Sequence, residues 1–220
     1  MKWYTAIGVK INNGEGEFCV QTGQEEKVLV GMEIYIWTSL LWAFCEEETI
    51  YGRIEKLLIL TFGEREAKQR ICYEEYAFCF RRLCIRGLIA CCEGENAEEA
   101  IMCLMRTAVL APSQISMRER SEAFWESLRN GRGFRFSMKA FQRMPLKENE
   151  RELLQKIRQS GSMAYHLENV RNQADRTILL PADDALLKEF QEMMQKEFLA
   201  DVIVLYGKKF LNISSVEKEV

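Results

Sequence analysis

Residues 73–92 read YEEYAFCFRRLCIRGLIACC, and this stretch decides the first half of the fold. Its apolar residues recur every three or four positions up to Leu83, which is the spacing of one buried face of an α-helix. Gly87 stands where helices commonly end in a left-handed residue, and the apolar run from Leu88 to Cys92 is typical of a buried strand. The stretch therefore predicts a helix over residues 73–86 that passes directly into a strand.

Toward the N-terminus the apolar residues change to a period of two. Residues 3–11 alternate, residues 12–16 are rich in turn-forming types, and short apolar runs follow around Phe18 and Val20 and at 27–30. We therefore expect about thirty residues in a small antiparallel β-meander. After Gly31 two amphipathic helices are predicted from two stripes, which are Ile36, Trp37, Leu40, Leu41 and Phe44, and then Ile50, Ile54, Leu57 and Leu58.

A further helix is predicted over residues 96–110. Asn96 and Glu99 have the spacing of a capping box, and Pro112 limits how far the helix can continue. This helix is our candidate interface for a homodimer because it is rich in apolar residues, namely Ile101, Met102, Leu104 and Met105.

Residues 111–144 have a charge balance opposite to that of the whole chain. Seven arginines and lysines oppose three glutamates there, a local net charge of +4, whereas the chain carries a formal net charge of −3. Gly131 and Gly133 place a flexible break inside this basic stretch. We therefore predict an N-terminal domain over 1–111, a basic helical connector over 112–144 and a C-terminal domain over 145–220.

The C-terminal domain is predicted to contain three helices and a hairpin. The helices are expected at about 148–159, at about 162–170, and over a longer stretch that opens at Asp183 and Asp184. Residues 202–206 and 209–213 are apolar runs on either side of Gly207 and Lys208, a pattern that predicts a tight β-hairpin. The expected fold class is α+β and mostly helical, with an N-terminal antiparallel β-meander and a C-terminal β-hairpin.

The end of the 73–86 helix, where Leu83 is followed by Gly87, Leu88 and Ile89, resembles winged-helix transcription regulators of the MarR/PadR type. This resemblance covers about residues 31–92, and the helix and hairpin order within 146–214 resembles a second copy. It implies two winged-helix-like domains, although a capping signal replaces the returning wing strand after Cys92. The leading meander followed by three helices also resembles peptide-binding winged-helix variants of the PqqD type, which hold a peptide against a sheet edge.

The winged-helix resemblance implies a non-enzymatic, cytoplasmic DNA-binding regulator that forms a homodimer and has duplex DNA as its partner. Basic side chains hold phosphates in such proteins. Phe78 and Ile85, which point outward on the same predicted helix, instead favour contact with protein. The alternative function is therefore a peptide- or protein-binding adaptor that uses the edge of the N-terminal sheet. The candidate DNA-binding residues are Arg81, Arg82, Arg86, Arg132, Arg135, Lys208 and Lys209.

Enzymatic chemistry is not predicted. The chain has one histidine, His166, and so lacks the usual general base for most catalytic arrangements. Glu46, Glu47 and Glu48 are interpreted as the start of a helix, where the helix dipole favours carboxylates, rather than as a metal or acid–base cluster. We assign no catalytic, cofactor-binding or metal-binding residue, and we expect no cofactor.

The cysteines and the apolar windows indicate the compartment. None of the eight cysteines forms a CxxC pair, and no signal peptide is recognisable. We expect buried thiols in a reducing compartment, hence a cytoplasmic location. Redox sensing by Cys91 and Cys92, and metal binding by Cys72, Cys79 and Cys84, are weaker alternatives. The most apolar window, 31–44, is too short to span a bilayer and contains Glu33, so no membrane partner is expected.

Overall fold

The computed structural model describes residues 1–11, 16–113, 146–177 and 184–217, together with residues 124, 125, 134 and 138. Its strands are β1 (Lys2–Ala6), β2 (Val9–Ile11), β3 (Phe18–Thr22), β4 (Glu25–Leu29), β5 (Cys45–Glu46), β6 (Ile89–Glu93), β7 (Ala108–Pro112) and β8 (Leu211–Val216). Its helices are α1 (Met32–Leu40), α2 (Glu47–Phe62), α3 (Glu64–Arg70), α4 (Tyr73–Ile85), α5 (Ala97–Thr107), α6 (Glu148–Gln159), α7 (Met163–Thr177) and α8 (Asp184–Gly207). The predicted α+β class, mostly helical with small antiparallel sheets, is confirmed.

The sheet β5–β1–β6 takes part in both hydrophobic cores of the described residues. Successive side chains of a strand point to opposite faces, so Tyr4 and Ala6 pack into the first core while Thr5 faces the second. The Thr5 Oγ1 atom lies 2.8 Å from the hydroxyl oxygen of Tyr206. The same alternation places Ile89 of β6 in the first core and Ala90 in the second. One small sheet therefore joins the N-terminal and C-terminal groups of helices.

The predicted meander is present as β2–β3–β4, but its first strand differs from the prediction. The alternating run over residues 3–11 was expected to be one strand, and it divides at Ile7 and Gly8 between two sheets. Gly8 has a φ of 109°, which side-chain-bearing residues rarely adopt, and a Cβ there would lie 2.9 Å from the carbonyl oxygen of Gln21. The bend sends β1 into the shared sheet, a distant pairing that the local pattern cannot reveal.

The two amphipathic helices predicted after Gly31 and the helix predicted over 73–86 are found as α1, α2 and α4, and most residues of the two stripes lie in or against the first core, with Phe44 packing against the second. The helix α1 is nine residues long and would be marginal alone, so its burial against α2, α4 and β1 stabilises it. It ends at Leu40, and the predicted stripe therefore extends beyond the helix to Phe44. The short helix α3 was not predicted. The fully buried residues of this core include Ile36, Trp37, Leu40, Ile50, Ile54, Leu58 and Leu83.

The helix expected over 96–110 is shorter than predicted. Asn96 caps it as expected, since its side-chain oxygen accepts a hydrogen bond from the Glu99 backbone N–H at 2.9 Å. The helix ends at Thr107, and residues 108–112 form β7, which pairs with β8. Leu104 and Met105 of the candidate dimer interface are buried in the second core and are therefore not available to a second chain. The homodimer itself stays a prediction.

The prediction of a C-terminal hairpin is wrong for its first strand, residues 202–206. The helix α6 is found where predicted and α7 is longer than predicted, but residues 202–206 continue α8 to Gly207. Val202, Leu205 and Tyr206 have helical spacing, and all three are buried in the second core. A run of five apolar residues fits a strand or a buried helix equally well. The helix forms here because its apolar side chains pack into the second core. The partner of β8 is β7, and the winged-helix-like arrangement predicted for 145–220 therefore lacks its hairpin.

The predicted division into three domains stays a prediction. Most of the basic connector, including Arg132 and Arg135, lies outside the described residues. The helix α5 and the strand β7 precede the connector and were predicted as part of the N-terminal domain, but they contribute to the second core together with the C-terminal helices.

Candidate functional site

The helix α4 carries two of the predicted DNA-binding residues, Arg81 and Arg82, and a third, Arg86, follows directly at its C-cap, so the end of the helix follows the sequence prediction closely. Gly87 has a φ of 66°, and the Leu88 N–H donates to the Leu83 carbonyl at 2.9 Å, which closes the helix as a glycine C-cap does. The buried face of α4 contains Tyr76, Cys79, Phe80 and Leu83. Because side chains three or four positions apart share a face, Phe78, Arg82 and Ile85 lie together on the outer face.

A buried carboxylate lies directly below this outer face. Glu33 of α1 has no solvent exposure, and its Oε1 atom accepts hydrogen bonds from Arg82 Nε at 2.7 Å and from Arg86 Nη1 at 3.0 Å. Its Oε2 atom also lies 3.0 Å from Arg86 Nη1 and accepts from the Val30 backbone N–H at 3.3 Å. Burial opposes ionisation of Glu33, but the hydrogen bonds from the two arginines outweigh it and lower the pKa of this carboxyl.

Arg86 also fastens α4 to the edge strand of the meander. Its Nη2 atom donates to the Val28 carbonyl at 2.7 Å, and the Lys27 ammonium donates to the Arg86 carbonyl at 2.7 Å. Val28 pairs with Cys19 of β3 in register but points its carbonyl away from that strand, toward Arg86. An arginine side chain therefore occupies part of the strand edge that a peptide would use for strand addition.

Four exposed apolar side chains surround this network of contacts. Phe78 and Ile85 of α4 are 65% and 80% exposed, and Val28 and Val30, on and just after β4, are 40% and 58% exposed. The guanidinium carbon of Arg82 lies 5.5 Å from the centre of the Phe78 ring. We call these four residues the α4–β4 face. Exposed apolar groups on neighbouring elements are a common mark of a protein-binding surface.

Where the structure describes them, the remaining predicted DNA-binding residues lie on separate parts of the fold, Arg81 on α4 and Lys208 and Lys209 after α8. Arg81 is exposed, and Arg132 and Arg135 lie outside the described residues. Lys208 is not in the turn of a hairpin as predicted, because it follows α8 directly, and it donates to the buried carboxylate of Glu150 at 2.6 Å. Lys209 has a φ of 64° and its ammonium lies 5.3 Å from the centre of the Trp42 ring. Of the five predicted side chains that the structure describes, four are engaged in contacts within the chain.

Sequence reasoning missed Glu33 as the centre of this site. A signal was present, because Glu33 is a charged residue inside the apolar stretch 31–44, most of which forms the buried helix α1. Lone carboxylates in such positions are rarely tolerated without a basic partner. Which arginines would supply that partner depends on how α1 and α4 cross, and this follows only from the tertiary structure.

The single histidine, possible metal ligands and possible membrane-spanning helices were the other candidates for function. His166 is buried, and its Nε2 atom lies 2.7 Å from the Ser160 carbonyl oxygen. In the ranges that the structure covers, no three or more His, Cys, Asp or Glu side chains are placed to hold a metal ion. No helix within those ranges is both long and apolar enough to cross a membrane.

Comparisons with protein families, curated proteins and solved structures each found no match to this chain.

Proposed function

We propose that this chain is a non-enzymatic adaptor that binds a peptide or protein segment through the α4–β4 face. The observation that carries the proposal is the combination of four exposed apolar side chains with two arginines that are held by buried Glu33. A basic side chain can bind a phosphate only if it can give up the group that it contacts within the protein. Arg82 and Arg86 would have to abandon a desolvated carboxylate to contact DNA, and that exchange is costly.

The contacts of Arg86 also change the expected mode of binding. Strand addition at β4 would require Arg86 to release the Val28 carbonyl. Contact through side chains requires no such release, so we favour a partner segment that packs apolar side chains against Phe78 and Ile85. Arg81 is exposed, so a carboxylate on the segment would have a cation to contact.

The test is a selection of peptides from a random display library on the purified chain, followed by anisotropy titrations. We expect enriched peptides to contain apolar and acidic residues. The double variant Phe78→Ser with Ile85→Ser should weaken their binding by about tenfold or more, since apolar anchors dominate such contacts. Both side chains are exposed, so the variant should fold. Leu60→Ser is the matched control because Leu60 is 63% exposed on α2.

DNA binding stays a prediction, and the same titrations include it as a separate arm. A mixed-sequence duplex is titrated at low salt and again at higher salt. Binding that falls steeply with salt and is lost in Arg81→Glu would favour the DNA-binding function over the adaptor. Peptide binding that is equal in the wild type and the Phe78, Ile85 double variant would exclude the α4–β4 face as the binding surface.

A further inference from the structure

A cavity of about 620 Å³ opens at the other end of α4, far along the helix from Ile85. It is lined by the first turns of α2 and α4 and by the start of β1. Three tyrosines and three glutamates contribute to its wall, and we call it the tyrosine pocket. These residues are Glu46, Glu47, Glu48, Tyr51, Tyr73 and Tyr76.

The three rings of the tyrosine pocket meet at steep angles. The ring centre of Tyr51 lies 5.5 Å from that of Tyr73 and 5.2 Å from that of Tyr76, with interplanar angles of 66° and 68°. Tyr73 and Tyr76 are 5.9 Å apart and inclined at 46°. At such angles the edge of one ring packs against the face of the next. Tyr73 is 65% exposed whereas Tyr76 is buried, so the cluster reaches from the core to solvent.

The charge around the rings is mainly negative. Glu47 accepts a hydrogen bond from the Tyr4 hydroxyl at 3.0 Å, which holds one carboxylate beside the aromatic cluster. Glu46 is at the N-cap position of α2, but its side chain makes no capping hydrogen bond. Burial, and then the negative charge of Glu47, raise the pKa of Tyr76 to about 12. The Tyr76 ring therefore stays neutral near neutral pH and lies within the field of a carboxylate.

Two cationic groups border the same cavity. Lys2 lines it, and so does Met1, whose α-amino group donates to the Gly94 carbonyl at 3.1 Å. Three glutamates against these two cations leave the lining with a net negative charge, and the pocket combines aromatic rings with carboxylates.

We propose that the tyrosine pocket binds an alkylated ammonium group, such as the trimethylammonium of choline or of a methylated lysine. The negative faces of aromatic rings attract cations, and assemblies of several rings are well suited to quaternary ammonium groups. Methyl groups pack against the rings and have no N–H donors that would need partners. The nearby carboxylates add long-range attraction without having to coordinate the ligand. This inference is independent of the α4–β4 face.

The first experiment measures ligand chemistry by isothermal titration calorimetry on the full chain. Choline and an N-acetylated, amidated trimethyl-lysine are titrated separately, and their relative affinities distinguish a free small molecule from a modified side chain. The neutral isostere 3,3-dimethylbutan-1-ol is titrated as a control, because it has the shape of choline without the charge. We expect both ammonium compounds to bind and the alcohol to bind at least about tenfold more weakly.

The second experiment locates the site with variants that should all fold. Tyr73→Leu keeps an apolar side chain but removes a π face, and it should weaken ammonium binding by about three- to tenfold. Tyr73→Phe keeps the π face and should retain the affinity. Glu48→Gln should weaken binding and Lys2→Gln should strengthen it, because one removes an anion and the other a cation. Tyr165→Leu is the matched control, since Tyr165 is 53% exposed outside the pocket.

The proposal is overturned if neither ammonium compound binds, or if the neutral alcohol binds as tightly as choline. It is also overturned if Tyr73→Leu and Tyr165→Leu have the same affinity. Circular dichroism spectra of each variant confirm that a lost affinity reflects the pocket rather than the fold.

Discussion

Two buried carboxylates, one in each half of the described chain, are neutralised in different ways. Glu33 beside the first core accepts hydrogen bonds from two arginines, Arg82 and Arg86. Glu150 on α6 accepts from the Lys208 ammonium at 2.6 Å and from the Lys147 backbone N–H at 3.0 Å. The first contact ties α1 to α4 and, through Arg86, to β4, whereas the second ties the start of α6 to the turn after α8.

The difference shows which basic residues are structural. A guanidinium group donates several hydrogen bonds in fixed directions, so Arg86 can contact Glu33 and the Val28 carbonyl at once. An ammonium group acts more as a point charge, and Lys208 contacts one carboxylate oxygen of Glu150. In both places a residue that sequence reasoning assigned to DNA has a buried carboxylate as its partner. Buried acidic residues must therefore be counted before a basic residue is assigned to phosphate.

The largest expected effect comes from removing both partners of Glu33. The double variant Arg82→Met with Arg86→Met leaves a buried carboxylate without a cation, and we expect the free energy of unfolding to fall by about 3–5 kcal/mol. Urea unfolding near neutral pH measures this change. Arg81→Met, on the same helix but exposed, is the control and should change stability by no more than about 0.5 kcal/mol. A double variant as stable as this control would show that the network around Glu33 contributes nothing.

The next effect is on the pH dependence of stability. The folded protein holds the pKa of Glu33 below its usual value near 4.5, so the ionised carboxyl stabilises the fold above that value. This stabilisation is lost as the pH falls through the lower pKa of the folded state. Glu33→Gln cannot titrate, and its stability should therefore fall less steeply than that of the wild type between about pH 6 and about pH 3. Equal slopes in acid titrations of both proteins would contradict this assignment.

The smallest effect is expected at the second carboxylate. The Lys208 ammonium is the main cause of the lowered pKa of Glu150, followed by the Lys147 N–H. In Glu150→Gln one lysine, which already has some solvent access, loses its partner, so the melting temperature should drop less than in the arginine double variant. Differential scanning calorimetry measures both, with exposed Glu152→Gln as the control. A drop that equals or exceeds that of the arginine variant would reverse the comparison.

Parts of the fold with a strong local signal were predictable. The helix α6 was predicted with its observed bounds, Gly87 ends α4 as expected, and Asn96 caps α5 as its spacing indicated. Each of these features depends on residues within a few positions of one another, and backbone geometry limits the outcome. For the candidate site, the sequence identified Phe78 and Ile85 as outward-facing, and both are exposed.

Other features depended on contacts between distant parts of the chain. Residues 202–206 form a helix because their apolar side chains fill the second core, and β8 pairs with β7 about a hundred residues earlier. The three tyrosines of the tyrosine pocket come together only because the tertiary structure brings the beginnings of α2 and α4 close to each other. No periodicity in the sequence reports such a pairing.

The sequence by itself determined the class of fold, the positions of most helices and the outward face of α4, because helical period and capping are local properties. The tertiary structure alone decided which charges are free. Burial of Glu33 and Glu150 depends on how helices from distant parts of the chain cross, and each buried carboxylate recruits the cations that lie nearest in space. Desolvation makes that pairing compulsory, and the partner is set by geometry rather than by separation along the chain.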